Sequence, residues 1–240
     1  MTATQAFTHL YFFKFNCILG YNLTRLILQP SLSMVKLRLS LLLLSIFCLG
    51  GFIESASGAR HSSRSLDYIK ESCNKTRYRA LCVRSLSAFA NHTAKTPEEL
   101  AQISLIVSLY RAQHTRSYLL KVEKELKAVK AREWPAVRDC LAQISESVDQ
   151  LGQSIKELHR LIEQDLDDDY SWHISNIETW EGSALTNAFN CINEFPGRRM
   201  SKMKATIKGK VTNVAQVTSN ALALFHRYAA AYRARVVKKP

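Results

Sequence analysis

At 240 residues, 47% of them hydrophobic, the chain has room for one domain with a proper core or at most two small ones, which excludes a larger multidomain assembly. Its 33 Lys+Arg against 20 Asp+Glu give a formal net charge of +13, a balance that favours polyanions as contacts.

The first sixty residues read as export machinery rather than fold. From Met34 the sequence runs through Lys36 and Arg38, an apolar stretch from Leu39 to Leu49, and then Ser55, Ala56, Ser57, Gly58 and Ala59. A charged start, a short apolar middle and a small-residue cleavage zone are the parts of a secretory signal peptide, expected here over residues 34–59. The apolar run is short for a bilayer-spanning helix, so no permanent membrane anchor is expected in the mature chain. Residues 1–33, with Phe12, Phe13 and Phe15 and little charge, read as an upstream leader, with Met34 the start in use; a longer signal anchor and a targeting extension are the alternatives. One domain is expected over 60–240, with its core at about 65–235.

Loss of the leader removes Cys17 and Cys48 and leaves Cys73, Cys82, Cys140 and Cys191. Four cysteines in a secreted chain suggest two disulfides, for which three connectivities are open. The sequons at Asn74 and Asn91 fit the same compartment as candidate glycosylation sites. Residues 1–59 carry four Lys+Arg and one Asp+Glu, so 29 basic and 19 acidic groups remain, a balance of +10. Arg198, Arg199, Lys202, Lys204, Lys208 and Lys210 concentrate that charge, with a second group from Arg227 to Lys239. These are candidate polyanion contacts, and an exported protein meets an acidic polysaccharide or a membrane surface far more often than nucleic acid.

Helical patterns dominate after residue 65. Thr96-Pro97-Glu98-Glu99 predicts a helix start, with Thr96 as cap, Pro97 in the first turn and Glu99 closing a capping box; Leu100, Ile103, Val107 and Tyr110 follow at helical spacing. A second helix is predicted after Trp134-Pro135, with a stripe from Val137 through Cys140, Ile144, Val148, Leu151 and Leu158 to Ile162. The acidic run Asp165–Asp169 reads as a surface loop without the glycine or spacing of a calcium site. Ser175-Asn176-Ile177-Glu178 predicts the start of a third helix, closed by Pro196-Gly197, and a fourth carries Val211, Val214, Thr218, Ala221, Phe225, Tyr228 and Tyr232. With a shorter helical pair around Cys73 and Cys82, the expected architecture is all-α: an up-down-up-down four-helix bundle with an N-terminal helical hairpin. In that layout Cys73 and Cys82 bracket a turn and form a local clip, leaving Cys140 to pair with Cys191.

No chemistry beyond the disulfides is signalled. His61, His92, His114, His159, His173 and His226 are scattered, and there is no H-E-x-x-H, no Gly-rich phosphate loop and no G-x-S-x-G. Without C-x-x-C or a histidine at ligand spacing, zinc is not expected either. No catalytic residue and no cofactor are assigned, which moves the weight toward a binding or inhibitory protein.

Within the third helix, Trp180 is expected as a core anchor, Gly182, Ser183 and Ala184 as small residues allowing close approach, and Glu181, Ser183, Thr186 and Asn187 as candidate contacts with a partner.

The chain resembles the plant invertase and pectin methylesterase inhibitors over roughly residues 65–235. The resemblance rests on the eight-residue gap between Cys73 and Cys82, on Asp139-Cys140 followed by Val148, Asp149 and Leu151, on Trp180 with Ser183-Ala184-Leu185-Thr186 leading to Cys191, and on Ser219-Asn220-Ala221-Leu222-Ala223-Leu224. It implies a four-helix bundle with a helical hairpin and disulfides joining first to second and third to fourth cysteine. Invertase inhibitors carry a Pro-Lys-Phe element ahead of the fourth cysteine, absent here, whereas the W-x-x-S-A-L-T run is similar to the pectin methylesterase branch. Glu181-Gly182 departs from that branch, which has an apolar residue and Ser there. The implied activity is steric: a helical face docks one-to-one over the pectin-binding cleft of the esterase, in the apoplast and cell wall, with acidic pectin as a further contact. Inhibition of acid invertase and a non-inhibitory wall-binding protein are the alternatives.

Overall fold

The computed structural model describes residues 64–90, 95–163, 170–196 and 201–236, all within the compact unit Ser57–Pro240. The leader and signal segments, Asn91, the acidic run 165–169, Gly197, Arg198 and Arg199 lie outside the described residues. A helix α1 (64–73) turns into α2 (Arg79–Leu86) and a 3-10 turn at Ser87–Phe89. Four long helices follow: α3 (Pro97–Ala128), α4 (Trp134–Glu163), α5 (Tyr170–Asn193) and α6 (Lys202–Val236). Among the described residues there is no strand.

Both α3 and α5 pack against α4 and α6, so α3 and α5 stand at opposite corners of a four-helix bundle. The capping box at α3 forms as its sequence predicts: the Glu99 amide donates to Thr96 Oγ1 at 3.2 Å and the Thr96 amide to Glu99 Oε2 at 3.0 Å. The link to α4 is short because Lys130 adopts a left-handed conformation, φ 50°, and the Ala131 amide closes the helix end on the Leu126 carbonyl. Leu105, Ala112, Leu119 and Val122 of α3 join the stripes of α4 and α6 in one core running the length of the bundle. Tyr110 departs from its expected place on that stripe, being 60% exposed: the inward phase of α3 is set by Leu105, Ser108, Ala112, Thr115 and Leu119, and Tyr110 falls off it.

The α1–α2 hairpin buries Ile69, Cys73, Cys82 and Leu86 against Leu100 and Ile103 of α3 and Leu224 of α6. Asn220 of α6 docks it, accepting from the Tyr78 amide and donating to the Tyr78 carbonyl, each at 3.0 Å. Cys73–Cys82 closes the hairpin and Cys140–Cys191 joins α4 to α5 with their Cα atoms 4.4 Å apart.

α5 corrects three expectations. It begins at Tyr170, so Ser175 lies inside the helix and caps nothing; burial of Ile174 and the contact between the Tyr170 and Tyr232 rings, centroids 5.6 Å apart, extend the helix past that local signal. Its buried residues are Ile174, Ile177, Glu181, Ala184, Ala188 and Cys191, an alternation of three- and four-residue steps. Trp180 is therefore only half-buried, and Glu181 is the residue in the core at 0% exposure. Glu181 is thus removed from the candidate surface contacts. Neither of its carboxylate oxygens accepts a hydrogen bond from the described residues. Burial, with Glu178 adding to it, pushes its carboxyl well above the usual carboxylate range.

Three stability measurements test this account. Replacing Cys140 and Cys191 together by Ala should cost on the order of 4 kcal/mol through loop-closure entropy, read as a lowered denaturation midpoint. A folded-state pKa raised at Glu181 means the fold is favoured below the ordinary carboxylate pKa and loses stability as pH rises toward the folded value. Glu181→Leu should therefore stabilise, by roughly 1–3 kcal/mol from the unmet polar atoms, and the gain in Tm should be larger at pH 8 than at pH 4; a gain independent of pH would contradict the buried carboxylate. A Cβ at Gly182 meets nothing within 4 Å, so Gly182→Ala should add about 1 kcal/mol, and a destabilised variant would show that the helix face is not open there.

Candidate functional site

The α4–α5 pair is held by a polar seam outside its core. Gln150 of α4 reaches two residues one turn apart on α5: its Nε2 donates to Ser183 Oγ at 2.7 Å, and its Oε1 accepts from Asn187 Nδ2 at 3.4 Å. Below it, Ser147 Oγ makes a 3.1 Å bond to the Ala184 carbonyl, a close approach that the alanine permits. Further along, Glu157 of α4 meets His173 Nδ1 at 2.7 Å, Asn176 Nδ2 at 3.4 Å and Arg160 Nη1 at 3.0 Å. Burial alone would raise the Glu157 carboxyl, but the bonds from His173, Asn176 and Arg160 outweigh it and hold the group below the usual range. A carboxylate already engaged by three donors braces helices; it is not set up to exchange a proton with a substrate.

With that seam on one flank and Glu178 turned toward His226 and Arg233 of α6 on the other, the outward side of α5 is fixed. Ser175, Thr179, Gly182, Thr186 and Phe189 succeed one another along it at steps of three and four. None is charged, in a chain with 33 basic residues. Thr186 is exposed and its hydroxyl donates to the Gly182 carbonyl at 2.9 Å, so its polar group is already engaged by its own helix. Two exposed aromatics stand toward the ends of the helix, Trp172 at 61% and Phe189 at 43%. A short-chained, uncharged face with aromatics at its edges has the composition of a protein–protein contact, where charge is depleted and aromatics are enriched.

Of the contacts expected from sequence, Ser183, Thr186 and Asn187 therefore come together on α5, with Ser183 and Asn187 tied to Gln150 at the flank, and Glu181 does not join them. Lys202, Lys204, Lys208 and Lys210 lie on α6 rather than α5. Asn74 is exposed in the turn after Cys73. Sequence reasoning missed Gln150 and Ser147, which have no motif of their own, and missed Trp172 and Phe189. Stepping back in helical register from Cys191 would have placed position 181 inside. Among the described residues no group of His, Cys, Asp and Glu could hold a metal ion, and no helix is long and apolar enough to cross a membrane.

The fold and this sequence are similar to known proteins. The profile of the family described as plant invertase/pectin methylesterase inhibitor matches residues 67–224. "Pectinesterase inhibitor 9" of Arabidopsis thaliana is 41% identical over 179 residues, covering 74% of this chain and 88% of that protein. The "21 kDa protein" of Daucus carota is 39% identical over 167 residues, covering 69% and 86%. The crystal structure of a mutant form of a pectin methylesterase inhibitor from Arabidopsis shares the fold with a TM-score of 0.52 at 18% identity, over 64% of this chain and 92% of that one. A helical hairpin clipped at Cys73–Cys82, a bundle locked at Cys140–Cys191 and a family match across nearly all of the described helices agree: the chain belongs to the plant invertase/pectin methylesterase inhibitor family.

Proposed function

We propose that the protein is a secreted inhibitor of pectin methylesterase that docks the outward face of α5 over the substrate cleft of the enzyme, one inhibitor to one esterase. The observation that carries this reading is the uncharged stripe Ser175–Thr179–Gly182–Thr186–Phe189, flanked by Trp172 and braced through Gln150 and Cys140–Cys191. Relatives named pectinesterase inhibitors supply the target. Inhibition is steric, with no bond made or broken and no catalytic role for this chain. A bundle locked by a disulfide loses little conformational freedom on docking, so more of the contact energy remains as affinity. Export through the 34–59 signal would place the protein in the apoplast and cell wall, where Asn74 and Asn91 would be open to glycosylation and where its positive charge would favour contact with acidic pectin.

The test is a paired assay. The protein should abolish the activity of a plant pectin methylesterase and co-elute with it at one-to-one stoichiometry, while leaving acid invertase untouched. Phe189→Ala, with an unchanged melting curve, should weaken inhibition tenfold or more, the loss expected when an aromatic hot-spot contact is truncated. Inhibition of invertase alone would overturn the target; full inhibition by Phe189→Ala and by Thr186→Arg would overturn the face.

A further inference from the structure

The groove between α3 and α6 is filled at one end and open at the other. The hairpin occupies the end formed by Leu100, Ile103 and Leu224. The opposite end, between the last turns of α3 and the first turns of α6, is a surface groove of about 510 Å³ floored by Val122, Leu126 and Met203 and edged by Tyr118, Lys121 and Lys202.

Charge gathers around this open end far beyond what the 198–210 cluster suggests. Lys210 Nζ stands 5.0 Å from the centre of the Tyr118 ring. Lys127 and Arg138 lie over the Trp134 ring at the turn between α3 and α4, at 6.0 and 5.0 Å. Lys130 occupies the left-handed turn position that a glycine takes with least strain. The nearby carboxylates offset part of this, Asp139 being paired with Arg138 at 2.9 Å, and the lysines of α6 carry the excess. Glu133 is paired with Lys204 at 3.4 Å, Glu123 accepts from Trp134 Nε1 at 2.7 Å, and Glu125 stands at the groove edge. α6 itself contains no acidic residue. Antiparallel folding has therefore merged two basic segments, 121–138 and 202–210, that lie some sixty positions apart in sequence. Lys202 to Lys210 alone spans about 12 Å along the helix, enough to meet several charges on an extended polymer.

We infer that the open end of the α3–α6 groove, with Lys121, Lys202 and Lys210 around it, is a binding site for a linear polyuronate, the chain of free sugar carboxylates that remains where pectin has lost its methyl esters. Lysines on an extended edge suit such a ligand because each ammonium is a mobile point charge and the carboxylates recur along the polymer. Choosing a uronate over other polyanions rests on the inhibitor reading above. The groove is lined by α3 and α6 and the docking face belongs to α5, so the two share no residue. Bound there, the protein would be retained on de-esterified pectin, the product of the enzyme it inhibits, with α5 left free.

The test compares the full secreted protein with two charge-reversed variants of equal net charge. One is Lys121→Glu/Lys202→Glu/Lys210→Glu; the other, Lys75→Glu/Arg79→Glu/Lys156→Glu, alters exposed residues away from the groove. Each is measured on polygalacturonate, on fully methyl-esterified pectin, on dextran sulfate and on anionic phospholipid vesicles, at low and physiological salt. The protein should bind polygalacturonate and not the esterified polymer; the groove variant should bind at least tenfold more weakly, and the control variant within twofold of the parent. Equal losses in the two variants would reduce the effect to net charge and overturn the site. Tighter binding to vesicles or dextran sulfate than to polygalacturonate would overturn the ligand. Esterase inhibition is read on the same samples: a groove variant that inhibits normally but no longer binds pectate supports the site, whereas pectate binding without inhibition by the parent would defeat the inhibitor reading and leave the groove standing.

Discussion

The rotational phase of α5 is the constraint on which the rest of the structure depends. Cys191 must face Cys140 for the bond between α5 and α4 to form, and a helix has no freedom to rotate one residue without rotating the others. From Cys191 the inward positions follow as 188, 184, 181, 177 and 174, and the outward ones as 189, 186, 182, 179 and 175. One covalent link thereby decides which side of α5 is core and which is turned to solvent. The Gln150 contacts to Ser183 and Asn187 reinforce that phase from the flank, so the face is held at two kinds of joint.

The same constraint explains the least comfortable residue in the protein. Position 181 points inward whatever side chain it carries, and here it carries a carboxyl that no described donor meets. Elsewhere on the α4–α5 pair, Glu157 is buried too, but His173, Asn176 and Arg160 surround it and favour its ionised form. The two carboxyls therefore pull stability in opposite directions with pH. Glu157 supports the fold above the ordinary carboxylate pKa, a contribution lost as pH falls through its depressed value. Glu181 favours the fold in acid, a contribution lost as pH rises.

The uncharged stripe and the basic charge fall on different helices. The uncharged stripe belongs to α5 and the basic groove to α3 and α6, of which α6 also packs against α5. Such separation lets a long-range, salt-screened attraction act without placing lysines in the contact itself, where each would have to be desolvated. The hairpin contributes by closing the far end of the α3–α6 groove, anchored through the paired bonds of Asn220 to Tyr78.

Much of this was legible in the residues. The capping box at Thr96, the apolar stripes of α4 and α6, the cysteine spacing and the family resemblance pointed to the all-α bundle and its two links, because those signals are local or periodic. The candidate partner contacts read from the sequence all lay on α5. What the sequence could not do was orient that helix: Trp180 looked like the anchor because it is large and apolar, and Ser175 looked like a cap because it begins a capping sequence, yet neighbours distant in sequence overruled both. Residues on the basic groove show the same limit. Lys121 and Lys202 are unremarkable on their own helices and become one site only when α3 and α6 pack side by side. By itself the sequence determined the elements, their number and their covalent links, since these rest on short-range propensity and pattern. Only the tertiary structure decided which faces look inward, which carboxyl is buried without a partner and which charges share a surface, since these depend on the relative rotation and register of helices that no local pattern encodes.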